Sequence, residues 1–163
     1  QSDQDELKNR YPIMSSKSDT WFSYSPLFVE DTAGNPIQRV LSTAPVQVTD
    51  FILDSTRPTV VSYTLDMNKA TVTLLFSEAV RPSTVDLSQL TLQSIETRRF
   101  GSSVTLNEST YSVGTGSNSN LLIVNIGKET MATMKLNGIG AAQFQSYLSW
   151  TDNFIADNAG NYL

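Results

Sequence analysis

A five-residue turn sequence occurs twice in this chain. Residues 31–35 read DTAGN and residues 157–161 read DNAGN, an offset of 126 positions (157 − 31). The same offset aligns residues 20–24 (TWFSY) with residues 146–150 (SYLSW). An aromatic strand followed by a turn, repeated in the same order, indicates an internal structural repeat. Such a repeat constrains the fold more than any local pattern does.

The offset sets the phase of the repeat. The chain has 163 residues, so it holds one period and part of a second. Residues 1–54 are predicted to be the C-terminal part of one repeat, comprising a short helix and the last strands. Residues 55–163 are predicted to be the next repeat without its final strand, because residues 38–53 have no counterpart after Leu163. Two sources of that strand are open: a longer continuous array, or the 38–53 strand of a neighbouring chain.

Alternating apolar residues predict the strands. Residues 61–65 and 72–76 flank a turn at 66–69, which is the pattern of a β-hairpin. The apolar run 121–126 predicts a central strand buried on both faces. Further short strands are predicted at residues 87–92, 147–150 and 154–156, and in the first repeat at 40–41 and 45–53.

One segment departs from the strand pattern. Residues 128–137 contain few β-branched residues, and Met131, Met134 and Leu136 follow roughly helical spacing before Gly138. We expect a short helix that ends at this glycine. Residues 5–8 are predicted to be its copy in the first repeat. The expected fold class is therefore all-β, with one short helix per repeat.

The composition excludes several kinds of chemistry. The chain has no Cys and no His, which removes zinc sites, thiol nucleophiles, imidazole bases and Ser-His-Asp triads. Its net charge of −5 argues against nucleic-acid binding, which needs a basic face. No apolar run approaches the length of a membrane span, and no pair of acids is marked for glycoside cleavage. We therefore expect neither an enzyme nor a nucleic-acid partner.

Three longer stretches carry a family resemblance: residues 54–60 (DSTRPTV), 72–80 (VTLLFSEAV) and 84–94 (TVDLSQLTLQS). They resemble the Ig-like modules strung in long arrays in surface proteins of algae, other protists and bacteria. A D-(S/T)-T-x-P linker, an L-x-F-S-E-x-V strand and a D-x-A-G-N turn are typical of those modules. The resemblance implies immunoglobulin-like antiparallel β-sandwich repeats located outside the cell or on its surface.

The resemblance also implies a candidate metal site. Similar bacterial arrays often hold Ca²⁺ at module junctions, where linker and loop carboxylates meet. Calcium takes six to eight oxygen ligands, so several carboxylates must converge. The candidates are Asp54 in the linker with Asp50, Glu30, Asp31 and Glu78, and calcium is the one cofactor that the resemblance implies.

The repeated turn has a second interpretation that needs no metal. Gly34 and Gly160 would adopt the left-handed region while the aspartate bonds its own backbone. The turn residues in question are Asp31, Gly34, Asn35, Asp157, Gly160 and Asn161.

Two further features bear on partners. Asn107-Glu108-Ser109 is an N-glycosylation sequon in a polar loop, which predicts a glycan on Asn107. Trp21, Tyr24, Tyr147 and Trp150 alternate along strands, where they form either a core or a platform for sugar stacking.

Two function classes remain. The first is a structural repeat of a long extracellular filament, cell wall or flagellar hair (mastigoneme), in which packing of neighbouring repeats or copies is the function. The second is an adhesin stalk or a carbohydrate-binding module, whose partners are glycans. The difference is observable, since a filament repeat buries large surfaces against other copies and a stalk module remains mostly solvated.

Overall fold

The computed structural model describes residues 10, 14–97, 99–107, 109–113 and 120–163. Residues 5–8, where a copy of the short helix is predicted, lie outside these ranges. The described chain divides into two compact units, with the boundary between Asp54 and Ser55. We call residues 10–54 the N-terminal unit and residues 55–163 the C-terminal unit.

The N-terminal unit contains one short antiparallel pair of strands. Strand β1 (Trp21–Phe22) pairs with β2 (Val46–Gln47), and Tyr24 forms an isolated bridge with Val40. The longer strand predicted at 45–53 is therefore wrong beyond its first few residues. Strand β2 is short because its partner β1 is only two residues long and offers it few backbone hydrogen-bonding groups.

The first sheet of the C-terminal unit has four strands, ordered β3-β4-β8-β7 and antiparallel throughout. The predicted hairpin is β3 (Val60–Asp66) and β4 (Thr71–Phe76). Its turn is held by the Asp66 carboxylate, which accepts the N–H groups of Asn68 and Lys69, each at 2.9 Å. The other two strands are β7 (Thr110–Val113) and β8 (Leu121–Asn125).

Two predictions about side-chain faces in this sheet are wrong. The pairing of β3 with β4 shifts register between Val60 and Ser62, so Val61 leaves the face of Tyr63 and Leu65 and is 61% exposed. Strand β8 is central, but buried and partly exposed residues alternate along it. Only one face of β8 is therefore covered fully.

The second sheet has three strands in the order β6-β5-β9, also antiparallel. Its strands are β5 (Leu90–Gln93), β6 (Ser103–Thr105) and β9 (Tyr147–Trp150). Leu87, predicted to open the β5 strand, belongs instead to a 3₁₀ turn at Leu87–Gln89. The Asp86 carboxylate caps this turn by accepting the Ser88 N–H at 3.0 Å.

The predicted helix is α1 (Lys128–Leu136). Met131 and Met134 are buried, whereas Leu136 is 87% exposed, so the apolar face of the helix is narrower than the spacing predicts. Both sheets and α1 contribute side chains to one hydrophobic core. The prediction of an all-β chain with antiparallel sheets and a short helix is confirmed.

The last segment of the chain lies in this core without forming a strand, in contrast to the strand predicted at 154–156. Phe154, Ile155 and Ala156 are fully buried. Two of their carbonyls take backbone donors from a loop, since the Asp86 N–H bonds the Phe154 oxygen at 2.9 Å and the Arg81 N–H bonds the Ala156 oxygen at 2.8 Å. Single donors from a bent loop satisfy these carbonyls but do not build a ladder.

The repeat visible in the sequence is also present in the backbone. Lys17–Asp19 and Gln143–Gln145 are both 3₁₀ turns at the 126-residue offset. The next residue, Thr20 or Ser146, donates its hydroxyl to the carbonyl four residues earlier, at 2.7 Å in both copies. This agreement extends to side-chain contacts between residues of different type.

An unusual backbone angle is repeated as well. Gly140 has a φ of 78°, in the left-handed region, and Met14 at the corresponding position has a φ of 59°. A residue with a Cβ atom is strained there by about 1–2 kcal/mol. The N-terminal unit therefore keeps the geometry of the repeat although its residue at this position is unfavourable.

The two copies of the repeated segment differ in their solvent exposure. Phe154 is 0% exposed, whereas its counterpart Phe28 is 62% exposed. Phe28 packs in a local ring cluster with Phe22 and Tyr24, at centroid distances of 6.0 and 5.6 Å. The same local structure is thus a core element in one unit and a surface in the other.

Phe28 and Phe154 provide a matched pair of substitutions. We expect Phe154→Ala to lower the free energy of unfolding by about 3–5 kcal/mol, because it empties a fully buried site. Phe28→Ala should change it by less than about 1 kcal/mol. Urea unfolding followed by circular dichroism measures both. Equal effects of the two substitutions would contradict the different burial of the two copies.

Candidate functional site

The repeated turn has the same hydrogen bonds in both copies. The N–H of Asp31 bonds the carbonyl of Asn35 at 2.9 Å, and the N–H of Asp157 bonds that of Asn161 at 3.0 Å. The asparagine N–H returns to the aspartate Oδ1 at 2.8 Å in each turn. Its side-chain amide donates to Oδ2, at 2.9 Å in the first turn and 2.8 Å in the second.

The glycine of each turn allows this closure. Gly34 has a φ of 83° and Gly160 a φ of 95°, which is the left-handed region that favours glycine. In the first turn the Asn35 side-chain amide holds the pKa of Asp31 below its ordinary value. Each aspartate therefore works as the hydrogen-bond centre of its own turn.

Asp157 differs from Asp31 in its surroundings. It is only 2% exposed and forms an isolated bridge with Val80, whereas Asp31 is exposed. Glu78, also buried, has a carboxylate oxygen within 4.8 Å of one on Asp157. The C-terminal unit thus places two carboxylates side by side in a poorly solvated position, where a cation would be attracted.

The other candidate calcium ligands belong to the N-terminal unit. Asp50 is exposed, and its carboxylate accepts the N–H of Phe51 at 2.9 Å. Asp31 and Glu30 are exposed as well, and Asp54 is partly buried at the end of the unit. Within the C-terminal unit, the carboxylates of Glu78 and Asp157 lie close together.

Asn107 lies on the surface, in a turn directly after the buried Leu106. The N–H of Ser109 bonds the Leu106 carbonyl at 2.9 Å and closes this turn. Glu108, the middle residue of the sequon, lies outside the described residues. An exposed asparagine in a turn is accessible to a glycosyltransferase, and glycosylation of Asn107 stays a prediction.

The aromatic residues do not form one flat platform. Tyr24 is part of the tilted ring cluster of the N-terminal unit, where interplanar angles range from 36° to 77°. Trp21 donates its indole N–H to the Ser18 carbonyl at 3.0 Å. Tyr147 and Trp150 lie on β9 at positions of opposite parity, so they point to opposite faces of the sheet.

No protein-family model matches this chain, and it matches no curated protein and no solved structure. Within the described residues, no helix is both long and apolar enough to cross a membrane.

The two turns allow a second matched comparison. Asp157→Ala removes two short hydrogen bonds to a buried carboxylate and should lower the free energy of unfolding by about 2–4 kcal/mol. Asp31→Ala removes the corresponding bonds in solvent and should lower the free energy of unfolding much less. Differential scanning calorimetry of the two variants tests this. A larger loss for Asp31→Ala would show that the exposed turn is the more important one.

The calcium prediction has a direct test at Glu78. Calcium bound beside Glu78 and Asp157 would neutralise their repulsion, so it should raise Tm by about 5 °C or more at saturation, and EDTA should reverse the effect. The control is Glu78→Gln, which should abolish the response to calcium. A Tm that neither calcium nor EDTA changes removes the site.

Proposed function

We propose that this chain is a structural segment of a long extracellular fibrous or cell-surface protein. In this proposal its units are Ig-like β-sandwich repeats that act by packing against neighbouring repeats or copies. The observation that carries the proposal is the repeated backbone of residues 14–37 and 140–163, which share their turns and their hydrogen bonds at one offset.

The two units are complementary in what each contains. After its copy of the repeated segment, the N-terminal unit continues into β2, which pairs with β1. Before its own copy, the C-terminal unit has the sheets and the helix that bury Phe154. Each unit thus contains elements that the other lacks, and this supports the proposal of a periodic array.

The exposed aromatic cluster supports packing as the mode of action. Phe22, Tyr24 and Phe28 are in mutual contact, and the counterpart of Phe28 in the C-terminal unit is fully buried. An apolar surface of this kind usually marks a contact with another protein. An extracellular location agrees with the family resemblance and with the sequon at Asn107.

The proposed periodicity can be tested by extending the chain in phase. A copy of residues 38–54 appended after Leu163 gives the C-terminal unit the strand that follows the turn in the N-terminal unit. The copies of Val46 and Val48 should become buried, and the free energy of unfolding should rise by about 2 kcal/mol or more. Urea unfolding measures the gain.

The control for this extension is a scrambled appendage of the same composition. It should leave the free energy of unfolding unchanged. If the in-phase and scrambled appendages stabilise equally or not at all, the C-terminal unit is not a repeat of the proposed kind.

The alternative is an adhesin stalk or carbohydrate-binding module, and the exposure of the aromatic cluster is the observation that favours it. Sugar rings stack on exposed aromatic faces, so a glycan array probed with the chain should give signals that Phe28→Ala reduces. Labelling of the native assembly with an antibody to the chain separates the two classes. Regular labelling along a filament supports the structural repeat, and labelling of isolated surface protrusions supports the stalk.

A further inference from the structure

Strand β9 is an edge strand, and its outer side pairs with no strand in the described part of the chain. Its inner side pairs with β5. The N–H of Thr151 bonds the Gln89 carbonyl at 3.2 Å, so residues of odd number face β5. The N–H and C=O groups of Leu148 and Trp150 consequently point away from the sheet.

The pairing of β1 with β2 in the N-terminal unit shows which strand fits such an edge. Strand β1 is the counterpart of β9, and it pairs with β2 through the equivalent groups. Tyr24, the counterpart of Trp150, exchanges two backbone hydrogen bonds of 3.1 Å with Val40. The carbonyl of Thr20, the counterpart of Ser146, accepts the N–H of Val48 at 3.1 Å.

The side chains of that partner also suit the C-terminal unit. Val46 lies opposite Phe22, whose counterpart is Leu148, a residue packed against the hydrophobic core. Gln47 lies opposite Trp21, whose counterpart Tyr147 is on the other face of β9. A strand with the sequence of β2 would thus place its valine toward the core and its glutamine toward solvent.

A groove continues the edge beyond Ser146. It has a volume of about 470 Å³, and Tyr63, Gln143 and Ser146 are among its lining residues. In the N-terminal unit, Lys17 occupies the position of Gln143 and donates its Nζ to the Thr49 carbonyl at 2.8 Å. The residues after Val48 would therefore run into this groove.

Tyr63 occupies part of this position in the present structure. Its hydroxyl donates to the Ser146 carbonyl at 2.6 Å, which is the acceptor corresponding to the one that Val48 uses in the N-terminal unit. Burial raises the pKa of Tyr63, and the Leu148 backbone amide, which bonds the phenol oxygen, opposes the shift. The phenol thus takes the hydrogen bonds that a paired strand would take.

We propose that the outer edge of β9 and the adjoining groove bind residues 38–50 of a second copy of this chain. The strand runs antiparallel to β9, with Val40 opposite Trp150, Val46 opposite Leu148 and the Val48 N–H on the Ser146 carbonyl. In its own copy the strand uses the same Val40 and Val48 groups to pair along β1 and its flanking residues, so it must leave that β1 in order to bind β9 of the next copy. Every copy has both the strand and the edge, so this exchange is head-to-tail and continues from copy to copy. This inference rests on the proposed function, since it assigns the contact by which copies would form a fibre.

The first test is binding of a synthetic peptide of residues 38–50 to the full chain. The chain has two tryptophans, so Trp21→Phe leaves Trp150 as a reporter on β9. We expect a saturable change in Trp150 fluorescence with a shift to shorter wavelength. Amide exchange should slow at Trp150 and stay unchanged at Ser149, which already faces β5. Absence of saturation up to millimolar peptide overturns the proposal.

Two methylated peptides provide the matched control. N-methylation of Val48 removes a donor that points to the edge and should weaken binding at least tenfold. N-methylation of Gln47 alters the neighbouring amide, which points away, and should leave binding unchanged. Equal binding of both peptides, or of a scrambled sequence, would show that the proposed register is wrong.

Sedimentation velocity tests the second copy as the source of the strand. The chain should associate as its concentration rises, and the 38–50 peptide should dissociate the oligomers. A chain that stays monomeric above the dissociation constant of the peptide overturns this assignment. The covalent extension by residues 38–54 distinguishes this inference from the proposed function. If the extension stabilises the chain but the peptide does not bind, the chain is a structural repeat and the contact between copies is wrong.

Discussion

Burial of the Phe154–Ala156 segment is the interaction on which the C-terminal unit depends. The segment fills the core that the two sheets and α1 enclose, and the loop at residues 81–86 supplies donors for two of its carbonyls. It also holds the Asp157 turn against Val80 and brings Asp157 beside Glu78. Removing the apolar side chains would therefore loosen the core and the acidic pair together.

The N-terminal unit shows what the same segment does without that core. Its turn closes with the same bonds, so the local sequence is sufficient to specify the turn. Its phenylalanine remains on the surface, so burial is decided by the rest of the repeat. Local hydrogen bonding and tertiary packing are thus separable here, because one chain contains the segment in both conditions.

This separation explains which predictions from sequence were accurate. The hairpin at β3 and β4 and the helix α1 have strong local patterns, and the structure contains both. The faces of Val61 and of β8 were predicted wrongly, since a register shift and the neighbouring sheet decide them. The pair of Glu78 and Asp157 could not be derived from spacing, because a bridge between distant segments forms it.

The 3₁₀ turns before the repeated strands were also missed. Their sequences, KSD and QFQ, share no residue, so comparison of residue types gives no signal there. What the two copies share is a hydroxyl at the following position that bonds the carbonyl four residues earlier. The aligned hydroxyl residues Thr20 and Ser146 are the signal in the sequence from which these turns could have been predicted.

The hydroxyl of Tyr63 forms an intramolecular hydrogen bond beside the outer edge of β9. An exposed edge strand is a template for unspecific pairing and aggregation, and a bond of 2.6 Å to the Ser146 carbonyl occupies one of its acceptors. A passing strand of arbitrary sequence must displace the phenol and gains only backbone bonds in return. In the proposed contact, a matching strand would also fill the groove and so gain side-chain contacts. If the proposed contact between copies forms, the tyrosine would therefore favour a matching strand over unrelated polypeptides.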